Sequence, residues 1–475
     1  MGPRVKPEGD NENEQNFMTI NPADSAILGG LFGSDAMRRL FSDPARLQKM
    51  LDVEAALARV EARLGIVPQD AAEAITRAAK VENLSFEELG ASTRNVGYPV
   101  VALVKQLGKA AGGEAARYVH WGATTQDILD TALVLQIREG LDLIRAEIVR
   151  IARALVERAQ KHRTDLMAGR THLQHALPVT FGYKCAVWAA PLLDDLARLD
   201  ALSSRVLRVQ FGGAVGTLAS LGDKGRAVTE GLARELGFAA PDAPWHVTRD
   251  VLAETASTLG LLCGNLAKFA TDIILLMQTE IGEVFEPHQA GRGGSSTMPQ
   301  KRNPVASEYV LAAARGVHAL VPLMLSAMAQ DHERATGPWQ SEQLALPQIF
   351  VLTSGALMHA AAIAEGMTVD TKRMRQNLDS THGLILAEAV MMAAAKAIGR
   401  DKAHHVVEHA ASKAILEKRP LAEILKEDKA LAGHLSPAEI DRVLDPAGYV
   451  GESAAVVDRI AARARKERAG GERAG

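Results

Sequence analysis

The stretch best equipped for chemistry is Gly291-Arg-Gly-Gly-Ser-Ser-Thr-Met-Pro-Gln-Lys-Arg-Asn-Pro304. Its glycines permit backbone geometries closed to other residues and let main-chain N–H groups approach a ligand. A flexible linker ending in Asn303 as a helix N-cap would account for the glycines and for Asn303. It would not account for Ser295, Ser296 and Lys301 beside them. The loop also lacks the Gly-Lys-Ser/Thr ending of a phosphate-binding P-loop. A serine flanked by a lysine and free N–H groups suits removal of a proton next to a carboxylate. The lysine and the amides would then stabilise the enolate-like dianion that results.

A second pattern, His405-Val-Val-Glu-His409, satisfies the H-x-x-E-H arrangement of some zinc proteases. Two histidines four apart share a helix face, but a catalytic zinc normally needs a third protein ligand, and the sequence offers no obvious one. The pattern is read as chance. No metal and no cofactor is expected.

Helices must position the loop. Asp43-Pro44 is an N-cap followed by a first-turn proline, and Gly65 stands where a C-terminal glycine belongs. Between them Met50, Val53, Leu57, Val60 and Leu64 form one apolar stripe, and Leu141, Ile144, Ile148, Ile151 and Leu155 form another. After Pro244 no proline occurs until Pro287; Leu252, Leu259, Leu266 and Ile273 are spaced by seven, with Leu262, Phe269 and Leu276 as a second row. Seven-residue seams pack helices at small crossing angles, as in bundles. A helix of roughly 40 residues would run ~60 Å, and this one is expected to be the longest. The only large non-helical interruption expected in the centre is 285–303.

The 475-residue chain is 47% hydrophobic, enough for a large core, and only 4% aromatic, thin for a sheet protein. With 54 basic and 57 acidic residues, the net charge of −3 leaves no global field for nucleic acid or an anionic membrane. No run approaches 18 unbroken apolar residues, so no membrane span is expected. Cys185 and Cys263 lie far apart in apolar segments, which fits a reducing, cytoplasmic setting. The expected organisation is a disordered extension (1–20, with Met18 as an alternative start), an N-terminal helical domain (21–119), a central long-helix bundle (120–367), a C-terminal helical domain (368–456) and a charged tail (457–475).

The loop from Gly294 to Pro304 resembles the GSSxMPxKxNP signature of the fumarase/aspartase superfamily. His120-Trp-Gly-Ala-Thr-Thr-Gln-Asp127 and Gly169-Arg-Thr-His-Leu-Gln-His175 are similar to its first and second substrate-binding blocks. The resemblance spans roughly 25–460. It implies an all-α homotetramer whose central helices merge into a twenty-helix core, with each active site built from three subunits around a small polycarboxylate. It also implies residue roles. Ser295 matches the base that exchanges the carbon proton, and His172 the general acid for an oxygen or nitrogen leaving group. Lys301 and Asn303 match groups holding a carboxylate and the dianion. Thr124, Thr125 and Asp127, with His120, match the first substrate-binding block, and Arg170 and Thr171 the second. Arg249 and Arg334 match arginines used on anionic substrate groups, and Gln210 lies near the site in the same pattern.

Gln210-Phe-Gly-Gly-Ala, Gly282-Glu-Val-Phe-Glu-Pro287, Thr381-His-Gly-Leu384 leading to Leu386-Ala-Glu-Ala-Val390, and Leu444-Asp-Pro resemble the carboxymuconate cycloisomerase branch. The expected reaction is reversible lactonisation of 3-carboxy-cis,cis-muconate to 4-carboxymuconolactone, in protocatechuate breakdown. His172 keeps an alternative open, because a carboxylate leaving group needs no acid. That alternative is a lyase expelling an amine or hydroxide from a succinyl-type substrate, adenylosuccinate lyase-like, although Thr124-Thr-Gln-Asp127 departs from that branch's pattern. A third reading is a non-catalytic structural relative; the intact Ser295, Lys301, Asn303 and His172 oppose it.

Overall fold

The stripes read from the sequence become the buried seams of an all-α protein. The computed structural model describes residues 20–287, 298 and 300–471, with side chains as far as 467. Met50, Val53, Leu57 and Val60 are buried on the helix Asp43–Arg63, as are all seven members of the two rows between Leu252 and Leu276. That second helix runs Asp250–Met277, 28 residues, and stops well short of Pro287. The chain turns instead at Gly282, whose φ of +60° suits glycine. The longest helix is Thr125–Lys161, 37 residues or ~55 Å at the usual rise per residue.

The chain divides into two compact units. One comprises Met1–Glu147, Asp195–Gly264 and Tyr309–Met358; the other comprises Ile148–Asp194, Asn265–Glu308 and His359–Gly475. In the first, the helix Asp43–Arg63 packs with Gln69–Ala78 around Leu51 and Ile75, and with Gly225–Leu236 around Leu57 and Leu232. In the second, Ala387–Ile398 and Arg400–Glu417 pair around Val390, Val407 and Leu425.

Three features depart from the expectations. The strands Leu166–Thr171 and Gln174–Thr180 form an antiparallel hairpin that interrupts the helices within the central segment, where no break is expected from the sequence. A helix, Ser453–Gly471, occupies much of the presumed charged tail, because Val457 and Ala461, four apart, are buried and Arg463 pairs with Asp194. Finally, Asp250–Met277, Val305–Ser326 and Pro338–Gly366 are long and apolar enough to cross a membrane by length and composition. Counting unbroken apolar runs missed them, because isolated polar residues barely lower the mean. The most apolar windows of the first and third are mostly buried inside the protein; that of Val305–Ser326 is only 28% buried.

Candidate active site

The first block is organised by a buried carboxylate. Asp127 lies in the first turn of Thr125–Lys161, where the helix dipole favours negative charge. Its Oδ1 accepts from the Gly212 amide at 2.9 Å, His246 Nε2 at 2.7 Å and Gln210 Nε2 at 3.5 Å. Its Oδ2 accepts from the Thr124 amide at 3.0 Å and the Gly213 amide at 2.9 Å. The two glycines are there for space and conformation: a Cβ on Gly212 would lie 2.9 Å from His246 Cε1, and Gly213 has φ +68°. With both oxygens engaged and no exposed surface, Asp127 shapes the site wall rather than offering an open ligand atom. Gln210 is equally buried; its Oε1 accepts from the Trp245 amide at 2.7 Å, so it braces the same wall.

Around this wall stand the more accessible groups. Arg334 donates to Thr124 Oγ1 at 3.0 Å and to the Ala214 carbonyl at 2.9 Å, which joins two predicted site residues directly. Thr125 is half-buried beside Thr124. His120 has φ +64°, a conformation uncommon outside glycine that often marks functional sites. Its Nδ1 lies 2.6 Å from Glu54 Oε1. Burial alone would lower its pKa, but the charge of Glu54, their hydrogen bond and the charge of Asp127 together raise it.

Arg249 belongs to the same unit but to a different arrangement. It is fully buried, with its guanidinium shared between Asp130 (2.6 and 2.9 Å) and Glu342 (2.9 and 2.5 Å), and it lies 4.9 Å from the Trp245 ring centre. Burial opposes its charge, yet the two carboxylates more than offset this and hold it protonated. Gln126 links the two arrangements, donating to Asp130 Oδ2 at 3.1 Å and to the His246 carbonyl at 2.8 Å. That gives a physical reason for a glutamine in the Thr-Thr-Gln-Asp run.

The second unit holds the remaining predicted residues. His172 and Leu173 form the two-residue tip of the hairpin, both with positive φ (+49° and +64°), and His172 is exposed. Thr171 is exposed beside it. Arg170 is committed to Glu283 in a bidentate pair (2.9 and 2.6 Å), and Asn377 donates to the same carboxylate at 2.8 Å. Three residues on, Glu286 caps the helix Val305–Ser326, accepting from the Ala306 and Ser307 amides at 3.0 and 2.7 Å. Arg302 donates to the Glu286 carbonyl at 2.9 Å. Glu283 and Glu286 thus fasten the segment that enters the loop and the helix that leaves it. Lys301 is exposed and Asn303 half-buried at the loop's end, while Ser295 lies outside the described residues. His404, His405 and Glu408 cluster on an exposed helix face, with ligand atoms within 4.8 Å of one another.

Sequence reasoning missed Glu54, Asp130, His246, Glu283, Glu286 and Glu342. Glu54 carried a usable signal, because it interrupts the apolar stripe of its own helix.

In this all-α chain each unit thus sets predicted site residues beside buried carboxylates, Asp127 and Glu54 in the first and Glu283 in the second. In comparison with known proteins, a family model described as "Lyase" matches residues 32–318, and one described as "Adenylosuccinate lyase C-terminus" matches 383–460. The chain belongs to this lyase family, the fumarase/aspartase superfamily, and is an enzyme. It is 50% identical over 439 residues to a 3-carboxy-cis,cis-muconate cycloisomerase of Pseudomonas aeruginosa, covering 92% of this chain and 96% of that one. It is 47% identical over 444 residues to one of Bradyrhizobium diazoefficiens, covering 93% and 98%. Among solved structures, the 3-carboxy-cis,cis-muconate lactonizing enzyme of Pseudomonas putida superposes with a TM-score of 0.88 at 47% identity, covering 93% of this chain and 99% of that one.

Proposed function

We propose that the protein interconverts 3-carboxy-cis,cis-muconate and 4-carboxymuconolactone. The observation that carries this is near-full-length identity of about half the residues to enzymes of that name. In the forward direction a substrate carboxylate oxygen adds to a double bond. The displaced electron pair moves onto the neighbouring carboxylate, giving an aci-carboxylate dianion. Ser295 delivers its hydroxyl proton to the adjacent carbon and regains one from solvent, so the net change is isomerisation with uptake of one proton. Lys301 and Asn303 stabilise the dianion. Thr124 and Thr125, with His120 and Arg334, hold the other carboxylates on the wall built by Asp127 and Gln210. The Arg170–Glu283 pair sets the hairpin carrying Thr171 and His172. Arg249 acts as a brace.

The working unit we propose is a homotetramer of three-domain chains (21–119, 120–367, 368–456), with active sites shared between subunits of a twenty-helix core, in the cytoplasm. The exposed apolar surface of Val305–Ser326 supports association of this kind. A histidine at an exposed hairpin tip favours one second reading, elimination of an amine or hydroxide with His172 as the acid. Ultraviolet assays with 3-carboxy-cis,cis-muconate and adenylosuccinate in parallel separate the two. Turnover of the first alone is expected; turnover of adenylosuccinate alone overturns the proposal.

A further inference from the structure

Glu54 and Glu61 lie two turns apart on one face of the helix Asp43–Arg63, inside its apolar stripe. Both are fully buried. Glu54 gives one oxygen to His120, and its other oxygen has no hydrogen-bond partner among the described residues. Neither oxygen of Glu61 has one. A buried carboxylate without a partner costs several kcal/mol to ionise, and a second negative charge nearby raises that cost. Glu61 accordingly stays protonated, its pKa pushed up to about 9 by burial and then by the charge of Glu54. Glu54 differs in having a titratable partner, the His120 ring, within hydrogen-bond reach. The carboxylates whose charge acts on His120 are Glu54 and Asp127. The other ring nitrogen of His120 makes no hydrogen bond to a described residue.

We propose that the two glutamates carry one negative charge between them, and that Glu54 holds it in order to keep His120 a cation for a substrate carboxylate. Glu54 is then a positioning residue acting through His120, and Glu61 is the neutral acid beneath it. The substrate part of this rests on the function proposed above; the charge part does not.

The test uses full-length wild type, Glu54→Gln, Glu54→Asp and Glu61→Gln. Steady-state kinetics with 3-carboxy-cis,cis-muconate are combined with nitrogen-15 NMR of labelled histidines in the substrate-free protein at pH 7. Expected results are an imidazolium signal for His120 in the wild type and a neutral one in Glu54→Gln. The KM of Glu54→Gln should rise about tenfold or more with kcat little changed, Glu54→Asp should recover much of the loss, and Glu61→Gln should match wild type. The proposal is overturned if His120 is neutral in the wild type, if Glu54→Gln leaves KM unchanged, or if Glu61→Gln raises KM as Glu54→Gln does. Should Glu54→Gln not fold, the wild-type signal and Glu54→Asp still decide. Absence of turnover by the wild type would refute the proposed function, while the histidine signal would judge the charge arrangement separately.

Discussion

Replacing Arg249 with methionine separates a brace from a substrate ligand. The guanidinium makes four hydrogen bonds of 2.5–2.9 Å to Asp130 and Glu342, and both carboxylates are buried with it. Methionine fills comparable volume but leaves two negative charges facing each other without a cation. Removing one partner from a buried ionic cluster costs roughly 3–5 kcal/mol. At about 2–4 °C per kcal/mol for a large domain, the thermal midpoint should fall on the order of 10 °C. The triple variant Arg249→Met, Asp130→Asn, Glu342→Gln removes the stranded charges and should recover most of the loss. Differential scanning calorimetry on the single and triple variants measures both effects. A single variant with the wild-type midpoint and only a raised KM would refute the bracing role and return Arg249 to the substrate.

Two further outcomes are expected. Glu61 retains in the folded state a proton that the unfolded chain releases near 4.5, so its contribution to stability is fully present below that pH. It declines as pH rises towards about 9, at ~1.4 kcal/mol per unit. Urea unfolding should therefore show Glu61→Gln gaining on wild type between pH 6 and 8, and parallel curves would contradict the buried neutral acid. Lys301→Met should lower kcat by about 10²–10³, the usual cost of one donor to a developing oxyanion. In a steady-state assay, a kcat within threefold of wild type would remove Lys301 from the mechanism.

The helical class was legible because seven-residue spacing of Leu252, Leu259, Leu266 and Ile273 reflects a geometry that burial enforces. The hairpin was not, because its tip, His172-Leu173, lacks the Asn-Gly or Asp-Gly pair that marks such turns. Both tip residues take left-handed backbone conformations for which their side chains give no warning. The polar blocks proposed for the site stand out by their order along the chain, but their partners do not. Asp130, Glu283 and Glu342 come from distant segments and look like ordinary helix or loop acids until folding brings an arginine to them. Glu54 and Glu61 were readable in principle, as charges standing where apolar residues belong.

The most direct test of the central claim is the turnover of 3-carboxy-cis,cis-muconate by Ser295→Ala. General acid–base groups typically contribute about 10²–10⁴ in rate. The ultraviolet assay should show kcat down by at least that order, with the thermal midpoint unchanged. A folded Ser295→Ala enzyme that lactonises at the wild-type rate would contradict the account.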